Sequence, residues 1–143
     1  MSSALDQASR LGKWLQAVRI NQETTLPGLW QPRLIVDVLT AGIPKDQWKG
    51  VNVLDIGACN GGLSIELARL GANVRAVEPN PVARSQFAFA YDLISQNEDL
   101  SIEYSDSTLF SLDRAVKYDV VLFLGLVYHF RYPQLFLRLL RWV

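Results

Sequence analysis

The residues whose types and spacing most clearly suggest a binding site are two carboxylates and a group of closely spaced glycines. Asp55 is followed at alternate positions by Gly57, Cys59 and Gly61, and Glu78 follows the next apolar run. Such glycines let the backbone turn tightly and leave room for a ligand to approach the main chain. A carboxylate in the position of Glu78 can accept hydrogen bonds from both ribose hydroxyls of a nucleoside. Asp55 would repel a pyrophosphate but could hold the ammonium of an amino-acid ligand, directly or through water.

The elements that must position these residues form the pattern of a nucleotide-binding βαβ unit. The apolar runs at residues 51–56 and 74–77 predict buried strands of a parallel sheet. Residues 63–70 lie between them with leucines at helical spacing, and Gly71 is placed to end that helix. Open α/β sheets bind ligands at the carboxyl ends of their strands, which is where Asp55 and Glu78 lie.

Two alternatives compete with a nucleoside site. A nicotinamide-dependent oxidoreductase would need a Gly-x-Gly-x-x-Gly turn aimed at a pyrophosphate, and both the observed spacing and Asp55 disfavour it. Binding of NAD by the purified chain would revive it. The other alternative is a Rossmann-like unit that packs through its glycines and binds nothing, which Glu78 at the expected distance disfavours.

Composition limits the class of protein. The chain has 143 residues, half of them hydrophobic, which suits one domain with a substantial core. Its formal net charge is zero, so no global field attracts nucleic acid. Cys59 is the sole cysteine, which excludes an internal disulfide and a zinc cluster and predicts no metal site. We find no signal-peptide or membrane-spanning pattern, so a soluble cytoplasmic protein is expected.

The rest of the chain has the periodicity of further helices and strands. We predict helices over residues 4–18, 32–42, 82–96 and 133–143, and strands over residues 100–104 and 118–125. Residues 20–30 are predicted to form a loop that ends in a Pro-Gly turn. The last strand is nearly all apolar, so we expect it to be covered on both faces. The N-terminal helix is interpreted as a lid or packing element.

The Asp-x-Gly-x-Cys-x-Gly spacing resembles the first motif of the class I S-adenosylmethionine-dependent methyltransferases, with Cys59 in place of the middle glycine. The resemblance implies S-adenosylmethionine as cofactor, with Asp55 and the turn holding its methionine part and Glu78 its ribose. It implies that Asp106, with Ser107 beside it, faces the adenine; alternatively, Asp106 caps a turn. The predicted cofactor-binding residues are Asp55, Gly57, Ala58, Cys59, Gly61, Glu78, Pro79, Asp106, Ser107 and Gly125.

A second stretch, residues 125–133, is similar to a segment of the methyltransferases related to the tRNA wobble-uridine (carboxy)methyltransferases. The matching residues are Gly125, Tyr128, His129, Arg131 and Pro133. This similarity makes Tyr128 and His129 the candidate catalytic residues. Tyr128 would hydrogen-bond the cofactor carboxylate or the substrate, and an imidazole can act as a base near neutral pH. Alternatively, His129 only satisfies backbone groups at the end of the strand.

The resemblance implies an α/β fold, a Rossmann-like three-layer sandwich whose mostly parallel sheet has the order 3-2-1-4. We predict one domain over residues 1–143, with an N-terminal helical cap over residues 1–50 and a core over residues 51–143. The seven-stranded sheet of the family has three further strands without counterparts here, so the domain is expected to be truncated. The fourth strand would then be an unprotected edge. We therefore expect a fragment of a longer protein, or a second copy or partner that covers this edge.

The expected function is methyl transfer from S-adenosylmethionine to an unidentified acceptor. The balanced charge promises no basic surface for tRNA, so a small molecule is the favoured acceptor. The alternative is a non-catalytic, methyltransferase-like fragment that serves as a binding or assembly module. The missing strands favour this alternative, and methyl transfer by the isolated chain would eliminate it.

Overall fold

The computed structural model describes residues 3–113 and 115–142. Its helices are α1 (Ala4–Arg10), α2 (Pro32–Gly42), α3 (Gly62–Arg69), α4 (Pro81–Ser95) and α5 (Pro133–Leu139). Its strands are β1 (Val18–Arg19), β2 (Thr25–Leu26), β3 (Asn52–Ile56), β4 (Asn73–Val77), β5 (Ile102–Ser105) and β6 (Val120–Leu122). The four longest strands form a parallel sheet in the order β5-β4-β3-β6. The predicted α/β fold and strand order 3-2-1-4 are confirmed.

Alternation along β3 divides the core between the two faces of the sheet. Val53 packs in a cluster with Val36 of α2 and Leu63 of α3. Leu54 and Ile56 point to the opposite face, where they pack with residues from the segments that follow β5 and β6. Because both faces of β3 are covered, its residues from 53 to 56 are all buried. Asp55, the first carboxylate of the motif, therefore lies on a strand that is buried on both faces.

Local capping places α4 directly after the second carboxylate. The side chain of Asn80 accepts hydrogen bonds from the backbone nitrogens of Val82, at 2.9 Å, and Ala83, at 3.4 Å. Pro81 occupies the first turn of the helix, where its missing N–H costs nothing. The chain thus leaves β4, passes Glu78 and begins α4 within three residues, which restrains Glu78 at the edge of the sheet.

The predicted N-terminal helix over residues 4–18 is wrong beyond Arg10. Helix α1 ends there, Gly12 has a φ of +87°, and the chain then leads without further helix to the antiparallel pair β1–β2. Residues 20–30, predicted as a loop, therefore contain a short strand. Tertiary contacts outweigh the helical spacing, because the buried indole of Trp14 donates to the carbonyl of Ala8 at 2.9 Å and this segment pairs with residues 29–30.

The fourth strand of the main sheet is shorter and less covered than predicted. Its ladder covers only Val120–Leu122 and pairs with β3 alone among the described strands. Leu122 is buried, whereas Val120 and Val121 are half-buried. The final predicted helix ends at Leu139 and continues as a 3-10 turn, Leu140–Trp142.

The predicted domain limits, residues 1 and 143, lie outside the described residues, and the division at residue 50 stays a prediction. Within residues 3–113 and 115–142, every helix falls short of the length and apolar character needed to cross a membrane.

Candidate functional site

A cavity of about 570 Å³ opens at the carboxyl ends of the parallel strands. Its polar lining includes the carboxylates of Asp55 and Glu78, which the sequence analysis singled out. Most of the remaining wall is apolar and includes Leu15, Trp30 and Leu34. The volume lies in the range typical of small-molecule sites, which are mostly apolar with a few convergent polar groups.

Asp55 presents a buried carboxylate to this cavity. Only 4% of the residue is exposed, and the hydroxyl of Ser64 donates to its Oδ2 at 2.7 Å. Burial raises the pKa of Asp55 to about 6; the hydrogen bond from Ser64 opposes this shift and the negative charge of Glu78 adds to it. A cationic ligand group in the cavity would offset both the cost of burying the Asp55 charge and its repulsion from Glu78.

The glycine-rich turn takes left-handed backbone conformations at alternate residues. The φ angles are +72° at Gly57, +53° at Cys59 and +74° at Gly61. The backbone nitrogens of Gly57 and Ala58 both donate to the carbonyl of Val77, at 2.9 and 3.2 Å, which fastens the turn to β4. Cys59 thus occupies a conformation that favours glycine, at a cost of about 1 kcal/mol.

The thiol of Cys59 is held in its protonated form. Burial raises the pKa of this thiol, a hydrogen bond from the backbone of Asn60 opposes the rise, and the nearby carboxylates of Glu78 and Asp55 add to it. Because the thiolate is the nucleophilic form of cysteine, this environment disfavours covalent chemistry at Cys59.

Glu78 joins the turn to the start of α4. Its Oε2 accepts from the backbone nitrogen of Cys59 at 3.0 Å, and its Oε1 accepts from that of Asn80 at 2.8 Å. An ionised carboxylate has about four acceptor positions, so about two remain for a ligand. Glu78 is therefore both oriented and able to accept from a pair of adjacent hydroxyls.

A second, more apolar cavity of about 280 Å³ lies next to the first. The two share Gly57, Glu78 and Leu126 in their walls. The side chain of Leu126 lies so close to Gly57 that a Cβ added there would come within 2.6 Å of its Cδ1. Four phenylalanines, Phe110, Phe123, Phe130 and Phe136, complete an aromatic wall. A flat apolar ring with a polar edge would suit this space.

The structure brings most of the predicted site residues together. The first cavity is lined by Asp55, Gly57, Cys59, Glu78, Gly125, Tyr128 and His129, and the second by Gly57, Glu78, Pro79 and Ser107. Ala58 and Gly61 belong to the turn itself, with Ala58 buried beneath it. Asp106 is not brought to either cavity. Its exposed carboxylate pairs with Arg84 at 3.2 Å beside a separate surface depression.

Tyr128 and His129 stand at the mouth of the first cavity. They belong to a 3-10 turn, Val127–His129, and their ring centroids are 4.3 Å apart. Tyr128 is 77% exposed, so its hydroxyl is accessible to a molecule entering the cavity. The backbone nitrogen of His129 donates to the carbonyl of Leu126 at 2.9 Å, which restrains the turn without using the imidazole.

The N-terminal segment contributes to this site although no sequence motif indicates it. Gln16, Trp30 and Leu34 line the first cavity although they precede the βαβ unit. Gln16 is also buried, with 5% exposure. No motif marks it, because the apolar spacing around it predicted a helix. No motif indicates the aromatic wall either, although phenylalanine recurs in the last third of the sequence.

Comparison with known proteins gives curated relatives that share about a third of their length with this chain. A "Ubiquinone biosynthesis O-methyltransferase" of Methylocella silvestris is 34% identical over 98 residues, covering 62% of this chain and 35% of the relative. A protein of the same name from Azorhizobium caulinodans is 37% identical over 95 residues, covering 63% and 34%.

Solved structures of low sequence identity have the same fold. The N-terminal domain of EvdMO1 with SAH bound has a TM-score of 0.72 at 20% identity, covering 97% of this chain and 63% of that one. The magnesium protoporphyrin IX methyltransferase ChlM of Synechocystis PCC 6803 with bound SAM has a TM-score of 0.59 at 21% identity, covering 72% and 48%.

The family assignment rests on the sequence that contains the βαβ unit. Residues 54–143 match the family described as methyltransferase domain, and this match covers more than half of the chain. The matched segment begins in β3 and includes Asp55, the glycine-rich turn and Glu78. The chain therefore belongs to the methyltransferase domain family.

Proposed function

We propose that this chain binds S-adenosylmethionine across the two cavities and acts as the cofactor-binding part of a methyltransferase. The observation that carries the proposal is the pair of carboxylates, Asp55 and Glu78, in a mostly apolar cavity. S-adenosylmethionine carries a cationic sulfonium and an ammonium, both of which a negative lining favours. Asp55 would hold the ammonium and Glu78 the ribose hydroxyls. The aromatic-walled second cavity would take the adenine, with Ser107 at its edge.

Bound S-adenosylmethionine would supply an electrophilic methyl group to a nucleophilic acceptor atom. The residues of this chain would then act mainly by positioning, which can lower the barrier of a transfer between two bound molecules substantially. Tyr128 would orient the acceptor at the mouth, and His129 beside it is the candidate group to take the proton of the acceptor.

We propose a small molecule with a hydroxyl group and an apolar body as the acceptor. The curated relatives are named as O-methyltransferases of ubiquinone biosynthesis, which supports oxygen as the acceptor atom. Leu15, Trp30 and Leu34 line the cavity and are partly exposed, so an apolar body could lie against them. The closer relation to tRNA wobble-uridine enzymes stays a prediction, and the zero net charge gives it no support.

Calorimetric titration with S-adenosylhomocysteine tests the cofactor site. We expect Glu78→Ala to weaken binding at least about tenfold, which corresponds to the loss of one charge-assisted hydrogen bond. Glu103→Ala is the matched control, since Glu103 is an exposed carboxylate on β5 that pairs with Arg75 outside both cavities. The control should bind within about twofold of the wild-type chain. Absence of binding by the folded wild type, or binding of NAD in its place, would overturn the proposal.

A ligand analogue separates ribose recognition from loosening of the turn, because Glu78 also accepts from Cys59 and Asn80. The wild-type chain should bind S-adenosylhomocysteine more tightly than its 2′-deoxy analogue, and Glu78→Ala should bind the two about equally. Discrimination that persists in the variant would exclude Glu78 as the ribose acceptor. Methyl transfer to hydroxyl acceptors, followed with labelled cofactor, then distinguishes an enzyme from the binding-module alternative, which would bind without turnover.

A further inference from the structure

A segment ahead of the βαβ unit is fastened to the cofactor turn. We define residues 14–30 as the N-terminal strap. Its two ends are joined by hydrogen bonds from Ala17 N to Trp30 O, at 2.9 Å, and from Trp30 N to Leu15 O, at 3.1 Å. The strap lies so close to the start of α3 that a Cβ added at Gly62 would come within 2.7 Å of the carbonyl oxygen of Ala17. Glycine at position 62 allows this close approach.

Gln16 carries the polar contacts between the strap and the turn. Its side-chain Oε1 accepts from the backbone nitrogen of Leu63 at 2.7 Å, and its Nε2 donates to the carbonyl of Ala58 at 3.1 Å. Its own backbone exchanges two further hydrogen bonds with the side chain of Asn60, at 3.0 and 2.8 Å. The side chains of both Gln16 and Asn60 are buried. These bonds bracket residues 58–63, which contain the whole second half of the glycine-rich turn.

The side chain of Gln16 replaces a missing helix cap. Helix α3 begins after Gly61, which has no side chain to accept from the first backbone nitrogens. The amide oxygen of Gln16 accepts from Leu63 in that role, from a position 47 residues earlier in the chain. Unlike a local cap, this one fails if the strap moves. The geometry of the turn therefore depends on an element outside the sequence motif.

We propose that Gln16 is a positioning residue for the cofactor: it holds the turn between Ala58 and Leu63 in the conformation that binds S-adenosylmethionine. The inference rests on the proposed function and adds to it a residue that no motif marks. Without the two side-chain bonds, the turn would occupy its binding conformation for only part of the time. The apparent affinity would fall in proportion to that fraction.

Gln86 of α4 offers a matched control. It is equally buried, with 2% exposure, and its Nε2 donates to the carbonyls of Leu11 and Lys13 at 3.0 and 3.1 Å. It therefore anchors the chain just ahead of the strap with the same type of side chain and the same number of side-chain hydrogen bonds. It lines neither of the two cavities described above. Gln86→Met should cost stability as Gln16→Met does, but it leaves the turn untouched.

The experiment compares Gln16→Met and Gln86→Met with the wild-type chain. Methionine is close to glutamine in size and removes the amide hydrogen bonds. Affinity for S-adenosylhomocysteine is measured by calorimetry at a temperature where circular dichroism shows each protein folded. Amide hydrogen exchange at Leu63 is measured by NMR. We expect Gln16→Met to bind about tenfold more weakly and to exchange the Leu63 amide faster. Gln86→Met should bind within about twofold of the wild-type chain.

Wild-type affinity in Gln16→Met, or an equal loss in both variants, would overturn the inference and leave the proposed function standing. A wild-type chain that does not bind would overturn both. If Gln16→Met fails to fold, Gln16→Asn takes its place, because a side chain shorter by one methylene cannot reach Ala58 and Leu63 together. The same loss of affinity is expected, and wild-type affinity in that variant would overturn the inference.

Discussion

Asp55 illustrates at the scale of one residue how a binding group can oppose folding. Its carboxylate is buried, receives one side-chain hydrogen bond, from Ser64, and lies near the negative charge of Glu78. The pKa of about 6 lies above the ordinary value of 3.8, so the folded chain binds more protons than the unfolded chain between these pH values. The contribution of Asp55 to stability is therefore greatest at low pH and is lost as the pH rises from about 4 through about 6.

Replacing this carboxylate should stabilise the protein at neutral pH. We predict that Asp55→Asn raises the free energy of unfolding at pH 7.5 by about 1–3 kcal/mol, since one pKa unit corresponds to about 1.4 kcal/mol. Between pH 4 and about 6, the pKa of the wild-type group, the free energy of unfolding of the variant should fall less than that of the wild-type chain. Urea unfolding at a series of pH values measures both effects. A variant less stable than the wild type at every pH would contradict this account of Asp55.

The same substitution should weaken cofactor binding. Asp55→Asn removes the negative charge opposite the ligand ammonium, so we predict at least about tenfold weaker binding of S-adenosylhomocysteine. In the wild-type chain the affinity should rise as Asp55 ionises between pH 5 and 7, with its midpoint near the pKa of about 6. Titration calorimetry across this range measures both, with Asp92→Asn, an exposed carboxylate on α4, as the control. Affinity that does not change with pH would argue against contact between Asp55 and the ammonium.

At the scale of elements, the N-terminal strap depends on a close approach between its two ends. A Cβ added at Gly28 would lie 2.1 Å from the backbone nitrogen of Ala17 and 2.2 Å from the carbonyl carbon of Gln16. Both atoms are backbone, so neither can rotate away. The strap also carries Trp14, whose indole is buried. A glycine at position 28 therefore decides whether the strap can close over the turn.

We predict that Gly28→Ala destabilises the chain by about 1–3 kcal/mol, because the strands of the strap must separate to admit the methyl group. Gly42→Ala is the control: a Cβ there would meet nothing within 4 Å, and this residue ends α2 with an ordinary φ. It should be neutral or stabilise the chain by up to about 1 kcal/mol, since alanine is the better helix former. Thermal and urea unfolding compare the two. Equal stability of both variants would show that the strap tolerates a wider spacing.

At the scale of the whole molecule, the segment that follows β6 leaves large apolar side chains in solvent. Leu124, Val127, Leu135 and Leu137 are each between 43% and 55% exposed. In the described part of the chain β6 pairs on one side only, with β3. Unpaired strand edges and exposed apolar surface both favour association. We therefore keep the prediction that a second copy or a partner covers this side.

This prediction has a direct test in solution. We expect the isolated chain to dimerise as its concentration rises, and the double variant Leu135→Glu, Leu137→Glu to remain monomeric, because buried carboxylates oppose the contact. Size-exclusion chromatography with light scattering measures the mass. Leu5→Glu is the control, since Leu5 on α1 is 48% exposed and α1 packs in a core cluster that contains no residue of β6 or of the segment after it. A wild-type chain that stays monomeric at all concentrations would exclude the homodimer.

The parts of the site that follow from neighbouring residues were predictable. Asp55, the glycine-rich turn and Glu78 lie where the apolar runs and turn residues place them, because strand ends and tight turns are determined by a few adjacent residues. The order of the main sheet came from the resemblance to the methyltransferase family, and the structure confirms it. By itself, the sequence determined the type of binding unit and its principal carboxylates.

Only the tertiary structure decided how distant segments complete that unit. The helix predicted over residues 4–18 ends at Arg10. Gln16 caps a helix that begins 46 positions later, at Gly62. Asp106 pairs with Arg84 outside both cavities. The phenylalanine wall is likewise assembled from separate segments. Local periodicity carries no information about these contacts, because each depends on which side chains the fold brings together. The physical reason is that burial and hydrogen bonding between distant residues outweigh the weak preferences of short segments.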